Sequence, residues 1–268
     1  MSVGQALILG IVQGLTEFIP VSSSGHLVLL PAALGWQPPS LAFDVVLHLG
    51  TAAAMLAVFG SDLIVLGIAW LRSVLRKSAD QAHARVAWYI LLATVPAGIL
   101  YVLLDDWFES LFGNPLWVAV FLLFTGGWLW FTERLGRSTR QIETLRGWEA
   151  LGIGLAQGLA LAPGVSRSGA TMGTGLLLGL RREAAARFAF LLAMPAILGA
   201  GLVKLVGLAD APVGLGLVPG AVGFVAAAVS GYLCIRFLLS YLRTRTLIPF
   251  AVYCWMIGLV SIVWLIAR

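Results

Sequence analysis

The 268-residue chain has little charge and little cysteine: Asp, Glu, Lys and Arg together make up 11% of it, and it contains two cysteines. Hydrophobic residues make up 60%, and the mean hydropathy is +0.98. Soluble domains carry about 25% charged residues and roughly 45–50% apolar ones. The composition therefore excludes a disordered chain, a disulfide-stabilised secreted domain and an ordinary cytosolic enzyme. It predicts a polytopic all-α membrane protein.

Basic residues are absent from the N-terminal region, where Arg72 is the first Lys or Arg. A cleavable signal peptide needs a basic start, so none is predicted. Cys234 and Cys254 lie in apolar stretches, and their spacing indicates neither a zinc site nor a disulfide framework. The net charge is +5, but no basic run is interleaved with aromatic residues, so nucleic acid is not an expected partner.

Long apolar runs bounded by charged or turn residues predict six transmembrane helices. The predicted spans are residues 41–71, 86–104, 116–131, 184–208, 218–242 and 247–267. A lipid bilayer is therefore the expected environment of most of the chain.

The basic residues are concentrated between these spans, which predicts an orientation. The basic segments are residues 72–85, 134–146, 181–187 and 243–245. By contrast, Asp105, Asp106 and Glu109 share one predicted loop without a basic residue, and Asp210 lies in another. Assigning the basic segments to the cytoplasm makes every crossing alternate, with the acidic loops and both termini outside.

Two further apolar segments, residues 2–35 and 148–180, are interrupted by polar stretches rich in Gly, Pro and Ser. Each half is too short to cross a hydrocarbon core, which needs about 20 helical residues. Irregular backbone at membrane depth is tolerated only inside protein or beside a wet cavity. Both segments are therefore predicted to be re-entrant helical hairpins.

The two hairpin segments resemble each other. Residues 6–25 placed over residues 150–169 without a gap share ten identities in twenty positions, including Gln-Gly-Leu and Ser-x-Ser-Gly. Each half of the single membrane domain, residues 1–147 and 148–268, has one hairpin and three spans. Because three is odd, the halves are predicted to form an inverted-topology repeat, with the hairpin tips facing each other near the membrane midplane. This relation also places Ser23 opposite its equivalent, Arg167.

The first tip reads QGLTEFIPVSSSGH and contains Glu17, the first acid in the chain. Gln13 and Glu17 are four residues apart and share a helical face. A carboxylate at membrane depth is costly and indicates a functional site, although a structural pair with an arginine is the alternative. His26 alone would more often be a satisfied core histidine. Beside Glu17 and three serines it is a candidate general acid or base.

The second tip reads PGVSRSGAT and contains Arg167, the only basic residue of its segment. Hydroxyls and free N–H groups at a helix N-terminus bind anions, and a guanidinium binds phosphate bidentately. Helix capping would account for one serine at each tip, but neither for three serines nor for the arginine. The predicted diphosphate-binding residues are Ser22, Ser24, Gly25, Ser166, Arg167, Ser168 and Thr171. Since the surroundings are apolar, the expected substrate is a lipid phosphate or diphosphate.

These two stretches resemble the signature motifs of bacterial undecaprenyl pyrophosphate phosphatases of the bacitracin-resistance type, and the resemblance covers essentially the whole chain. It implies that Glu17 and Gln13 help to hold Mg²⁺ or Ca²⁺ and that His26 acts as acid or base. It also implies that Arg167 binds the diphosphate and that Ser23 is a nucleophile candidate. Gln13 stands where other members have Glu, but one carboxylate and the substrate's own oxygens suffice for Mg²⁺.

The expected activity is hydrolysis of undecaprenyl diphosphate to undecaprenyl phosphate and inorganic phosphate, which recycles the lipid carrier of cell-wall synthesis. Ser23 would attack after activation by His26 or Glu17, or His26 would activate a water. The alternative is a transporter or flippase for a lipid phosphate, because inverted repeats with broken helices also build transporters. Transport needs no nucleophile, so a measurement of diphosphate hydrolysis distinguishes a hydrolase from a transporter.

The family resemblance further implies a multi-pass protein of the bacterial inner membrane whose site opens to the periplasmic face. The sequence leaves the oligomeric state open, and a homodimer is one candidate. Asp44 and His48 lie one turn apart on a predicted span. They would either support the site from a distance or form a plain helix-stabilising pair.

Overall fold

The computed structural model describes residues 1–77, 80–207 and 216–267, without the side chains of Asp105, Glu109 and residues 204–207. The regular structure of this part is helical. Its α-helices are α1 Val3–Phe18, α2 Ser23–Leu34, α3 Leu41–Val74, α4 Gln81–Phe112, α5 Pro115–Leu135, α6 Gly147–Leu159, α7 Arg167–Leu177, α8 Arg182–Gly207, α9 Leu217–Tyr241 and α10 Ile248–Ile266. One 3₁₀ turn, Ile142–Thr144, precedes α6.

Six of these helices are long and apolar enough to cross a membrane, which confirms the predicted number of spans. They are α3, α4 up to Leu104, α5, α8 up to Val203, α9 and α10. Each contains most of one predicted span. Leu208, the predicted end of the fourth span, and Asp210, in a predicted acidic loop, lie outside the described residues.

The acidic loop predicted at residues 105–109 is wrong, because α4 continues to Phe112. Nothing in this stretch breaks a helix, and the first such signal is Gly113, where α4 ends. Asn114 then accepts a hydrogen bond from Leu116 N at 3.0 Å and caps α5, while Pro115 occupies the first turn. The acidic residues therefore lie on a helix that extends beyond its apolar stretch.

The two polar stretches each separate a pair of short helices, α1 from α2 and α6 from α7. These helices have 16, 12, 13 and 11 residues, fewer than the roughly 20 that a span needs. Proline lies at both breaks, Pro20 in one and Pro163 in the other. Their re-entrant placement in a bilayer and the two-fold relation between the halves remain predictions.

Equivalent glycines bring α1 and α6 close to their neighbours. Gly10 and Gly14 lie against α9, where an added Cβ would be 2.6 Å from Gly223 O and 2.0 Å from Ser230 Oγ. Gly154 and Gly158, their counterparts in the repeat, lie against α4 in the same way, at 2.0 Å from Ala93 O and 2.6 Å from Leu100 Cδ1. Small residues four apart permit such close helix packing in membranes.

Several arginines that the sequence assigns to cytoplasmic loops also hold the fold together. Arg140 binds both carboxylate oxygens of Glu149, at 2.7 and 3.0 Å, and donates to Leu178 O at 2.8 Å. It thereby ties the start of α6 to the end of α7. Arg187 on α8 binds Asp62 on α3 at 2.5 Å. Their place in the basic segments predicts the orientation of the chain in the membrane, and their ion pairs join helices that are distant in the sequence.

Candidate functional site

Glu17 lies at the centre of the candidate site, at the C-terminal end of α1, with a relative exposure of 6%. Its Oε2 accepts a hydrogen bond from Ser23 Oγ at 2.5 Å and one from Gln13 Nε2 at 3.0 Å. Its Oε1 binds the guanidinium of Arg167. The carboxylate therefore joins three side chains from both polar stretches.

Contacts between the two tips bring these side chains together. Ser168 Oγ donates to Ile19 O at 3.3 Å, across the junction of the hairpins. Thr125 on α5 holds the second tip in place: its hydroxyl donates to Gly164 O at 3.0 Å and accepts from Ser166 N at 3.1 Å. Gly164 has φ +94°, and a Cβ there would lie 2.2 Å from Val118 O, so the tip requires glycine at this position.

The two tips use the same capping pattern at equivalent residues. Ser22 caps α2 by accepting from Gly25 N at 3.2 Å, and its hydroxyl lies 3.2 Å from that of Ser24. In the second tip, Ser166 accepts from Gly169 N at 3.0 Å and lies 3.2 Å from Ser168 Oγ. Each tip thus presents a helix N-terminus bordered by hydroxyls, which is an arrangement suited to an anion.

Ser22 adopts an unusual backbone conformation for a residue with a side chain, with φ +69° and ψ +99°. Such conformations cost on the order of 1 kcal/mol or more and persist where the surrounding structure imposes them. The next residue is Ser23, whose hydroxyl donates to Glu17 Oε2. The strain therefore lies directly beside the proposed reacting group.

Arg167 is the first residue of α7, and its side chain keeps 24% relative exposure. Only Nη2 is used in its contact with Glu17, whereas a guanidinium carries five N–H donors. Its other donors form no hydrogen bond with the described residues and can bind an oxyanion. The positive charge also makes the burial of the Glu17 carboxylate less costly.

His26 has partners other than Glu17 and Ser23. Its Nδ1 lies 2.7 Å from Ser22 O, and its Nε2 lies 2.8 Å from the hydroxyl of Tyr253 on α10. The two rings are stacked, with centroids 5.6 Å apart. The sequence suggested either His26 or Glu17 as the residue that activates Ser23. In the structure, Ser23 is hydrogen-bonded to Glu17.

Thr171 was predicted to bind the diphosphate, but its hydroxyl is directed to its own helix. It donates to Arg167 O at 2.8 Å and lies 3.2 Å from Ser168 O, and the residue is 2% exposed. The hydroxyl is thus engaged with the first turn of α7, the turn that begins with Arg167.

The oxygens next to Glu17 fit a hard cation in part. Gln13 is fully buried, and its Oε1 has no hydrogen-bond partner among the described residues. A buried amide oxygen without a donor needs a water or a cation. His48 Nε2 lies 3.9 Å from Glu17 Oε2, and its Nδ1 lies 2.8 Å from Asp44 O. Within the described part of the chain, no three His, Cys, Asp or Glu residues cluster as a metal site.

Sequence reasoning did not single out Thr125 or Tyr253, and it left His48 between two interpretations. Thr125 and Tyr253 lie on apolar helices far from the polar tips in the sequence. Thr125 could have been suspected as a hydroxyl within an otherwise apolar span. The sequence contains no comparable signal for Tyr253, since tyrosine is common at the ends of membrane helices.

A hydroxyl bonded to a carboxylate, beside a guanidinium and two helix N-termini, can support nucleophilic attack on an anionic group. Fold and site together define a polytopic helical membrane protein in which Ser23 and Arg167 meet at the buried carboxylate of Glu17. The chain belongs to the family described as "Bacitracin resistance protein BacA", whose model matches residues 6–260.

Three relatives illustrate how far this similarity extends. The chain is 43% identical over 267 residues to an undecaprenyl-diphosphatase of Moorella thermoacetica, with 99% of each chain covered. It is 48% identical to one of Rubrobacter xylanophilus, with 93% of each covered. It is 41% identical to one of Methanosphaera stadtmanae, with 96% of each covered.

Proposed function

We propose that the chain is an integral membrane hydrolase that converts undecaprenyl diphosphate to undecaprenyl phosphate and inorganic phosphate. The observation that carries this proposal is the contact of Ser23 Oγ with Glu17 Oε2 at 2.5 Å, with Arg167 bound to the other carboxylate oxygen. A nucleophile, its base and a charge clamp thus meet at one buried carboxylate. The full-length relatives carrying the name undecaprenyl-diphosphatase support the same substrate.

In the proposed first step, Ser23 Oγ attacks the terminal phosphorus and its proton passes to Glu17 Oε2. The bond between that phosphorus and the bridging oxygen breaks, and the oxygen leaves with undecaprenyl phosphate. This leaving group is a phosphate anion, so it needs no proton. Hydroxyls and N–H groups at the two helix N-termini would stabilise the charge on the transferring group.

In the second step, a water attacks the phosphorus of phosphorylated Ser23. His26 accepts a proton from the water and afterwards releases it to solvent, and Glu17 returns the first proton to the departing Ser23 oxygen. Inorganic phosphate is released, and the serine is restored. This sequence assigns different roles to Glu17 and His26, consistent with their different hydrogen-bond partners.

Arg167 would connect substrate binding to this chemistry. In the resting site it neutralises Glu17. A bound diphosphate competes for the guanidinium because phosphate oxygens offer bidentate acceptors. As Arg167 turns towards the substrate, Glu17 Oε1 loses its partner, while Oε2 keeps its hydrogen bond with Ser23.

A divalent cation, Mg²⁺ or Ca²⁺, belongs to the same proposal. Glu17 and the unpartnered Oε1 of Gln13 would hold it together with oxygens of the substrate. When bound, the ion would neutralise diphosphate charge. The finer location is proposed as well: a bacterial inner membrane, a site opening to the periplasmic face, and a chain that can form a homodimer.

One assay tests the activity and the metal together. The purified protein is incubated with undecaprenyl diphosphate and Mg²⁺ or Ca²⁺, with and without a chelator, while inorganic phosphate and the remaining lipid are measured. The proposal predicts one phosphate released per lipid monophosphate formed. It also predicts that the chelator slows this release.

The same preparation in sealed vesicles separates the hydrolase from a transporter. Movement of intact lipid diphosphate across the bilayer, without phosphate release under any metal condition, would contradict hydrolysis. Release that is insensitive to the chelator would contradict the cation proposal alone.

A further inference from the structure

Tyr253 on α10 contacts His26 on α2 in two ways. Its hydroxyl lies 2.8 Å from His26 Nε2, and its ring is stacked on the imidazole at an interplanar angle of 12°. The two residues are 227 positions apart in the sequence. A neighbouring contact, Cys254 Sγ to Pro20 O at 3.8 Å, also joins α10 to the first tip.

The contacts of His26 define its tautomer. Ser22 O can only accept a hydrogen bond, so the proton of the neutral imidazole lies on Nδ1, 2.7 Å away. Nε2 then carries the lone pair and accepts from the Tyr253 hydroxyl. This is the tautomer in which Nε2 can take a proton from a substrate or a water.

We propose that Tyr253 is a positioning residue of the active site, which holds His26 in the Nδ1–H tautomer with Nε2 ready to act as a base. The proposal rests on the proposed function, in which His26 accepts a proton from the attacking water. Tyr253 itself need not touch the substrate. It acts by stacking on the ring and by donating to Nε2 until a water takes its place.

The first test is the kinetics of Tyr253→Phe, which keeps the ring and removes the hydroxyl. Loss of the outer partner of a metal-binding histidine typically costs about 10- to 100-fold in affinity or activity, and we take the lower end of this range for the partner of a histidine base. We expect kcat to fall by about tenfold with KM little changed, because the diphosphate contacts remain. The matched control is Tyr241→Phe, since the Tyr241 ring also packs against α10, at Phe250. It should leave kcat unchanged.

A double variant distinguishes positioning of His26 from an independent role. In the His26→Ala background, Tyr253→Phe should cause no further loss of activity, because the residue that it orients is gone. A further tenfold loss in that background would overturn the proposal, as would wild-type kcat in the single variant.

Nitrogen-15 NMR of the labelled histidines provides a readout that does not depend on activity. The chain has three histidines, and the His26→Ala variant identifies the His26 signals. We expect a protonated Nδ1 and an unprotonated Nε2 at neutral pH, with the Nε2 signal displaced in Tyr253→Phe and the other histidines unchanged. The opposite tautomer, or an Nε2 signal that does not respond, overturns the proposal. Wild-type protein without phosphatase activity would instead contradict the proposed function, because the NMR result still reports the Tyr253–His26 contact.

Discussion

At the scale of single residues, the sequence predicted part of the site for a physical reason. Glu17 and Arg167 are charges in apolar segments, where charge is expensive, and the repeat placed Ser23 opposite Arg167. The structure brings Ser23 and Arg167 to the carboxylate of Glu17. The partner of His26 could not be predicted, because Tyr253 is 227 residues away and resembles any other tyrosine of a membrane helix. Thr171 was predicted as an anion ligand; its hydroxyl donates to Arg167 O on its own helix, and its contact with a diphosphate stays a prediction.

Replacing Arg167 tests the charge clamp. Arg167→Ala removes the guanidinium that contacts Glu17 and would bind the incoming diphosphate. Both the affinity for the substrate and the rate of phosphate release should therefore decrease. We expect kcat/KM for phosphate release to fall by about 10²-fold or more, in line with the loss of one strong stabilising group. Arg167→Lys should recover only part of this activity, because an ammonium lacks the planar fork.

The matched control for that experiment is Arg137→Ala. Arg137 is exposed, lies in a basic segment and forms no described ion pair. It should retain wild-type kcat/KM. Phosphate release by Arg167→Ala near the wild-type rate would contradict the assignment of Arg167 as the residue that binds the diphosphate.

At the scale of helices, glycines allow the short helices α1 and α6 to pack closely against the long helices α9 and α4. Hydropathy predicted which segments are long enough to span, and that prediction needed only composition and length. It could not predict the end of α4, because polar residues without a breaker continue a helix to Phe112. The repeated Gln-Gly-Leu stretch was visible in the sequence, but the partners of its glycines, α9 and α4, were not.

Two glycines of α6 offer a matched test of this packing. A Cβ at Gly154 would lie 2.0 Å from Ala93 O, whereas one at Gly152 meets nothing within 4 Å. Gly154→Ala should destabilise the protein by about 1–3 kcal/mol through overpacking against the α4 backbone. Gly152→Ala should be neutral or slightly stabilising, because alanine favours the helix by roughly 0.8–1 kcal/mol over glycine.

Thermal unfolding in the same detergent measures both variants. Equal unfolding temperatures for Gly152→Ala and Gly154→Ala would show that the close approach of α6 and α4 does not limit stability.

At the scale of the whole molecule, the distribution of basic residues predicts how the chain lies in the membrane. Several arginines of the basic segments also form ion pairs, such as Arg140 with Glu149 and Arg182 with Glu133. Structural pairing and orientation are compatible, since a paired arginine at a helix end still resists crossing the bilayer. The inverted relation between the two halves follows from the odd number of spans in each half, and the basic segments predict only which side each half faces.

Labelling with a membrane-impermeant maleimide tests the orientation. Both native cysteines are buried, at 3% for Cys234 and 0% for Cys254, so the background should be low. Ser110 and Gln141 are exposed, one near the predicted outer end of α4 and the other in a predicted cytoplasmic segment. In intact cells Ser110→Cys should react, and Gln141→Cys should react only after the membrane is opened. The reverse pattern would invert the topology, and labelling of both would contradict it.

The central claim is that a lipid diphosphate is hydrolysed at the Glu17 carboxylate. Its most direct test compares phosphate release from undecaprenyl diphosphate by the wild type, by Glu17→Gln and by Glu143→Gln, which changes an exposed acid. Glutamine keeps the shape of Glu17 but cannot accept the Ser23 proton, so the rate should fall by about 10²- to 10⁴-fold. Wild-type and Glu143→Gln proteins should release phosphate equally. Equal release by Glu17→Gln, or none by the wild type, would contradict the claim.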